Sequence, residues 1–182
     1  MFKNLRTHLS WLVLAACIVS MPVAAATKAE IDSGVQKALT SLYAKYPAAK
    51  ALGKDAKGIM VFPDIFKAGL VIGGEGGEGA LLVNGKTAGY FSTGGLSVGL
   101  QAGAQSYGYA LFFMTDDALK YAKSVSGWEI GVGPSVVVVD AGMAKNLTTT
   151  TGHSDVYAFI FGQKGLMAGI GLKGNKISKI EK

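Results

Sequence analysis

The sequence predicts an α+β protein that is mainly β: a curved antiparallel sheet or barrel-like domain with an N-terminal amphipathic helix and one short interior helix. Three observations lead there. Helical periodicity comes early, between Thr27 and Tyr46; from Gly58 onward the chain is a series of short apolar runs; and glycines recur within those runs. In the first segment Ile31, Val35, Leu39, Leu42 and Tyr46 recur at helical spacing while the charged residues fall elsewhere, and Pro47 ends the pattern. Ala48 to Lys57 reads as a second short helical or irregular piece carrying Lys50, Lys54 and Lys57.

The strand-length runs are Ile59–Phe62, Gly69–Ile72, Ala80–Val83, Leu96–Leu100, Tyr109–Phe113, Val136–Val139, Tyr157–Phe161 and Leu166–Ile170, each bounded by turn residues. The interior helix follows Thr115, with Asp116 and Asp117 in its first turn and Lys120 and Lys123 later, the order that the helix dipole favours. Leu119 and Ala122 are its expected contacts with the sheet. Glycines such as Gly99, Gly103, Gly108, Gly131, Gly133, Gly169 and Gly171 permit the bends and bulges by which a sheet curls.

Lys3 and Arg6 precede an apolar stretch from Leu9 to Val23 and then Ala24-Ala25-Ala26, the order of a secretion signal. Cleavage after Ala26 would make residues 1–26 the signal and residues 27–182 a single domain exported to the periplasm. Leu14-Ala15-Ala16-Cys17 offers another route, lipidation at Cys17 and anchoring as a lipoprotein, and both routes stay open.

The net charge of +6 falls to +4 without Lys3 and Arg6, and no arginine remains. Lysines are flexible point charges, suited to diffuse attraction toward an anionic surface and poorly suited to bidentate reading of bases, which argues against nucleic acid. With Cys17 the only cysteine, no disulfide forms within the chain.

Gly74-Glu75-Gly76-Gly77-Glu78-Gly79 has GxGxxG spacing, but a second apolar run and a turn follow where a dinucleotide site needs a helix, and two glutamates would repel phosphate. A glycine-rich hairpin or bulge is the expectation. His153 is the only histidine after the signal, and no pair of carboxylates is singled out by spacing. A nucleophile, base and oxyanion set cannot be assembled, so the expectation is no enzyme, no cofactor and no metal site.

Several ordered blocks resemble the SYLF domain family. They are Lys57-Gly58-Ile59-Met60-Val61-Phe62-Pro63, Lys67-Ala68-Gly69-Leu70 with Gly73, Gly74, Gly77 and Gly79, the segment Ser97 to Gln105, Phe112 to Leu119, and Tyr157 with Lys164 to Ile170. The sequence departs from the family pattern at Thr87–Phe91, where a tryptophan-containing turn is usual, and at Phe161–Gln163, where an arginine commonly precedes the closing block. The resemblance implies a lipid-binding module, since eukaryotic members bind phosphoinositides through a basic amphipathic N-terminal segment and bacterial members are exported.

These readings converge on a non-enzymatic envelope protein that contacts anionic phospholipid or a related amphiphile. The lysines expected at the membrane surface are Lys28, Lys37, Lys45, Lys50, Lys54 and Lys57. The alternative is a structural or assembly protein that binds another envelope protein.

Overall fold

The computed structural model describes residues 25–69, 72–98, 103–124, 127–139, 143–144, 154–165 and 172–182. Cys17, His153, the signal segment up to Ala24 and the apolar run Leu166–Ile170 lie outside the described residues.

Helix α1 (Lys28–Lys45) begins at a capping box: Glu30 N donates to Thr27 Oγ1, and Thr27 N donates to the Glu30 carboxylate at 2.8 Å. Those hydrogen bonds also hold the Glu30 carboxyl below its ordinary range. Pro47 opens α2 (Pro47–Asp55), so the second piece of the sequence is helical. Next come β1 (Gly58–Gly69), β2 (Ile72–Val83), β3 (Lys86–Val98) and β4 (Gly103–Phe113), four long antiparallel strands in which β1, β2 and β3 follow one another and β4 returns to pair with β1. Helix α3 (Asp116–Ser124) follows, with Ala118 N capped by Thr115 Oγ1 at 3.2 Å and Ala118 and Ala122 buried. The chain ends in β5 (Trp128–Glu129), β6 (Val136–Val139), β7 (Val156–Gly165) and β8 (Lys176–Ile180).

The sheet order is β5-β8-β3-β2-β1-β4-β7-β6, antiparallel except for the β6–β7 pair, and the sheet curls into a half-barrel. Its inner face closes on Met60, Phe62, Leu81, Tyr109, Leu111, Phe113 and Trp128, with α3 packed against them. Its outer face is covered by α1 and α2. The seam Ile31, Val35, Leu39 and Leu42 packs on Val61, Ala80, Leu82, Ala110, Phe112 and Phe159. Asp32 fixes the helix to the third strand, accepting from Thr87 Oγ1 at 2.9 Å and from the Tyr90 hydroxyl at 3.0 Å.

The run Ile59–Phe62 continues through Pro63 as one strand because Pro63 sits at a bulge and not at a break, whereas the run expected at Gly69–Ile72 is no strand of its own: Gly69 ends β1 and Ile72 opens β2. Between Phe62 and Ile65 β1 advances one residue more than β4 does. That extra residue keeps Phe62 and Ile65 both on the inner face. The glycine segment 74–79 is likewise no loop: it runs extended within β2, paired with Gly76 to Phe66 on one side and to Gly94 on the other. A phosphate-binding turn is therefore absent at this motif; of the hairpin or bulge expected there, the hairpin is not found, and a register shift in β1 lies opposite Gly76–Ala80.

Candidate functional site

Beyond the bulge, β1, β2 and β3 extend past the helices with one residue facing out and the next facing in. Outward-facing Phe66, Ile72 and Leu96 are 62%, 69% and 88% exposed. The ladders place Phe66 opposite Gly76, Leu96 opposite Gly74, and Ala68 and Ala104 beside Gly74 in the same row as Leu96. With strands about 4.8 Å apart and about 6.8 Å between successive residues on one face, the three large side chains occupy one surface only some 10–15 Å across. The glycines between them contribute no competing side chain.

One row further from the strand ends, charge frames this surface. Lys164, Ser106, Phe66, Gly76, Gly94 and Lys176 are successive register partners across six strands, with an exposed lysine at each end. Lys37 of α1 joins Lys164 and Ser106 in lining a groove of about 310 Å³ between the helix and the sheet.

The six lysines singled out in the sequence are all exposed, but they do not form one surface. At about 100° per residue, Lys28 and Lys37 point to opposite sides of α1. Lys50 and Lys54 lie on α2, and Lys57 precedes β1. Of the six, Lys37 is the one that shares a groove with Lys164 near the apolar strand ends. The apolar stripe of α1 is fully engaged by the sheet, leaving the helix only its polar side for any partner.

The inward-facing side of the same strands carries a buried polar row. Gln105, Lys67 and Glu75 are register partners on β4, β1 and β2. Lys67 Nζ lies 3.6 Å from Glu75 Oε2, with the two side chains 6% and 5% exposed. Asn175 lies over the bare backbone of Gly95 and donates from Nδ2 to Glu75 Oε1 at 2.6 Å. The Tyr109 hydroxyl donates to Thr93 Oγ1 at 2.6 Å. By contrast Glu75 Oε2, Gln105 Oε1 and the Tyr107 hydroxyl are buried without a hydrogen bond of good geometry, although the Tyr107 hydroxyl interacts with both Glu75 and Asn175. A buried polar group left unmatched costs about 1–3 kcal/mol. Burial first, and then the Glu75 charge, push the Tyr107 phenol well above its usual range, so Tyr107 stays protonated. Sequence reasoning missed this row, although Lys67 and Glu75 are equidistant from the middle of a Gly-rich hairpin tip, which is the signal that pairs them.

A third polar contact holds the chain together at the opposite side of β2. Lys182 Nζ donates to both Glu78 oxygens at 2.9 Å and to Ala26 O at 2.8 Å. Among the described residues no three His, Cys, Asp or Glu side chains come together as metal ligands, and no helix is long and apolar enough to cross a membrane.

Residues 94–182 match the protein-family model described as Ysc84, Las17-binding protein actin regulator, which is the SYLF family. The match covers 89 of the 182 residues and is consistent with the resemblance to the SYLF family. The SYLF match takes in Leu96, Gln105, Tyr107, Lys164, Asn175 and Lys176, whereas Phe66, Lys67, Ile72 and Glu75 precede it. The family is one of binding domains. A search of curated proteins found no match to the chain.

Proposed function

We propose that this protein is a non-enzymatic lipid-binding protein of the bacterial envelope, exported by its N-terminal segment, that docks on anionic membrane through the ends of its long strands. The observation that carries this reading is the exposed trio Phe66, Ile72 and Leu96 on one outward surface, with Lys164 and Lys176 at the two ends of the Phe66 row, behind Leu96 and Ile72. Apolar side chains at a protruding end enter the boundary between head groups and acyl chains. Lysines flanking Phe66 and set back from Leu96 and Ile72 then lie at head-group level, each worth about 1 kcal/mol near an anionic leaflet. The family's association with regulators that bind lipid or actin supports a binding role. The order of charged, apolar and small residues at the N-terminus supports export, and Cys17 would add a covalent anchor if it is the processed residue.

Flotation of the full chain with neutral and with anionic vesicles, at low and high salt, tests the reading. The expected result is flotation with anionic vesicles that weakens as salt rises. Absence of flotation under every condition would overturn it.

A further inference from the structure

We propose that the acidic groove beside the start of α1 receives the α-ammonium group created when the signal segment is removed, an inference that rests on the export reading. Two successive main-chain N–H groups already meet carboxylates there. Ala26 N donates to Glu78 Oε2 at 3.2 Å, and Thr27 N donates to Glu30 Oε2 at 2.8 Å. Ala25 and Ala26 line a groove of about 560 Å³ whose charged lining residues are Glu30, Asp64 and Glu78, all acidic, in a chain of net charge +6. Glu78 is held in place by the last residue of the chain: Lys182 Nζ lies 2.9 Å from both of its oxygens, and the lysine side chain is only 10% exposed.

Signal removal hydrolyses one peptide bond under a processing protease of the exporting cell. The hydroxyl of water joins the departing alanine carbonyl, its hydrogen goes to the freed nitrogen, and the proton of the new carboxyl group makes that nitrogen an ammonium. An α-amino group titrates near about 8, so the new end is charged at neutral pH. A cut after Ala26 puts the charge on Thr27 N beside Glu30, and a cut after Ala25 puts it on Ala26 N beside Glu78. Either way a neutral hydrogen bond becomes a charge-assisted one. On Thr27 the ammonium would oppose the dipole of α1, and Glu30 in the first turn offsets that opposition. The fold therefore tightens on processing, whereas the precursor has only an amide N–H at this place.

The full chain is expressed with its own signal in an exporting bacterial host, and the intact mass of the recovered protein gives its first residue. Urea midpoints are then measured for the wild type, Glu30→Gln and Glu78→Gln. Each is measured with a free α-amino group and again after selective Nα-acetylation, which restores an amide N–H and removes the charge. The expected first residue is Thr27 or Ala26. With Thr27 first, Glu30→Gln lowers the folding equilibrium constant by roughly threefold more in the free-amine form than in the acetylated form. With Ala26 first, Glu78→Gln shows that excess instead. A capping box or tie that is merely structural costs the same in both forms, and equal costs overturn the inference while leaving export intact. A chain that begins at an acylated Cys17 does the same, and one that keeps residues 1–26 overturns export and this inference together.

Discussion

Replacing Phe66, Ile72 and Leu96 together by threonine separates membrane docking from folding. Threonine retains β-branching and so keeps the strand preference of these positions. Fully burying a Leu, Ile or Phe side chain is worth about 1.5–3 kcal/mol, and the three are already 12–38% covered, so complete immersion of the trio would contribute about 3–7 kcal/mol. Docking at an interface immerses such side chains in part. A contribution of about 2 kcal/mol is then a modest estimate, and it corresponds to roughly a thirtyfold change in partitioning. Flotation with anionic vesicles at low salt measures that change, while the urea midpoint reports stability. The expected outcome is a thirtyfold loss of partitioning with the midpoint nearly unchanged, because surface substitutions that break no contact cost little. If the triple variant floats like the wild type while Lys50→Gln with Lys54→Gln does not, docking runs through α2 and the reasoning about the strand ends is wrong.

Other expectations follow from the same geometry. Charge removal at Lys164 and Lys176 should cost about 2 kcal/mol of binding at low salt and much less at high salt, read from flotation across a salt series. Leu42→Ala, in the seam between α1 and the sheet, should destabilise by about 2–5 kcal/mol in chemical denaturation, and no change would mean that the helix is not docked. Tyr109→Phe should cost about 1 kcal/mol through its bond to Thr93, read from chemical denaturation. Burial raises the Tyr107 and Tyr109 phenols above 10.0, so the folded chain keeps protons that the unfolded chain releases. Their contribution is therefore full below about pH 10 and lost as pH rises further, and urea midpoints measured from pH 8 to 11.5 should fall less steeply in the double phenylalanine variant.

Much of the fold is legible in the sequence because apolar periodicity reports burial directly. Ile31, Val35, Leu39 and Leu42 mark the buried seam of α1, and Thr115 with Asp116 and Asp117 marks the start of α3. The strand ends are legible only in part. Pro63 and the glycines 73–79 read as interruptions, yet a bulge absorbs the first and pairing on both sides of β2 holds the second extended. The lysines show a different limit. Composition makes Lys28 and Lys37 look alike, but direction around α1 separates them, and the apolar trio comes from three strands that only the ladders bring together.

The bulge in β1 has a wider consequence for how this sheet tolerates change. On either side of it the strand presents the opposite parity of residues to the interior: Met60 and Phe62 before it, Ile65 and Lys67 after it. Deleting Asp64 alone would remove the extra step, so that either the pairing beyond it shifts or Phe66 turns inward and Lys67 outward. Hydrophobic positions near Pro63 can thus accept many side chains of similar size, while the number of residues there is held fixed. The strand ends are in effect a switchable print, apolar outside and polar inside, whose orientation is set by the count of residues at one bend.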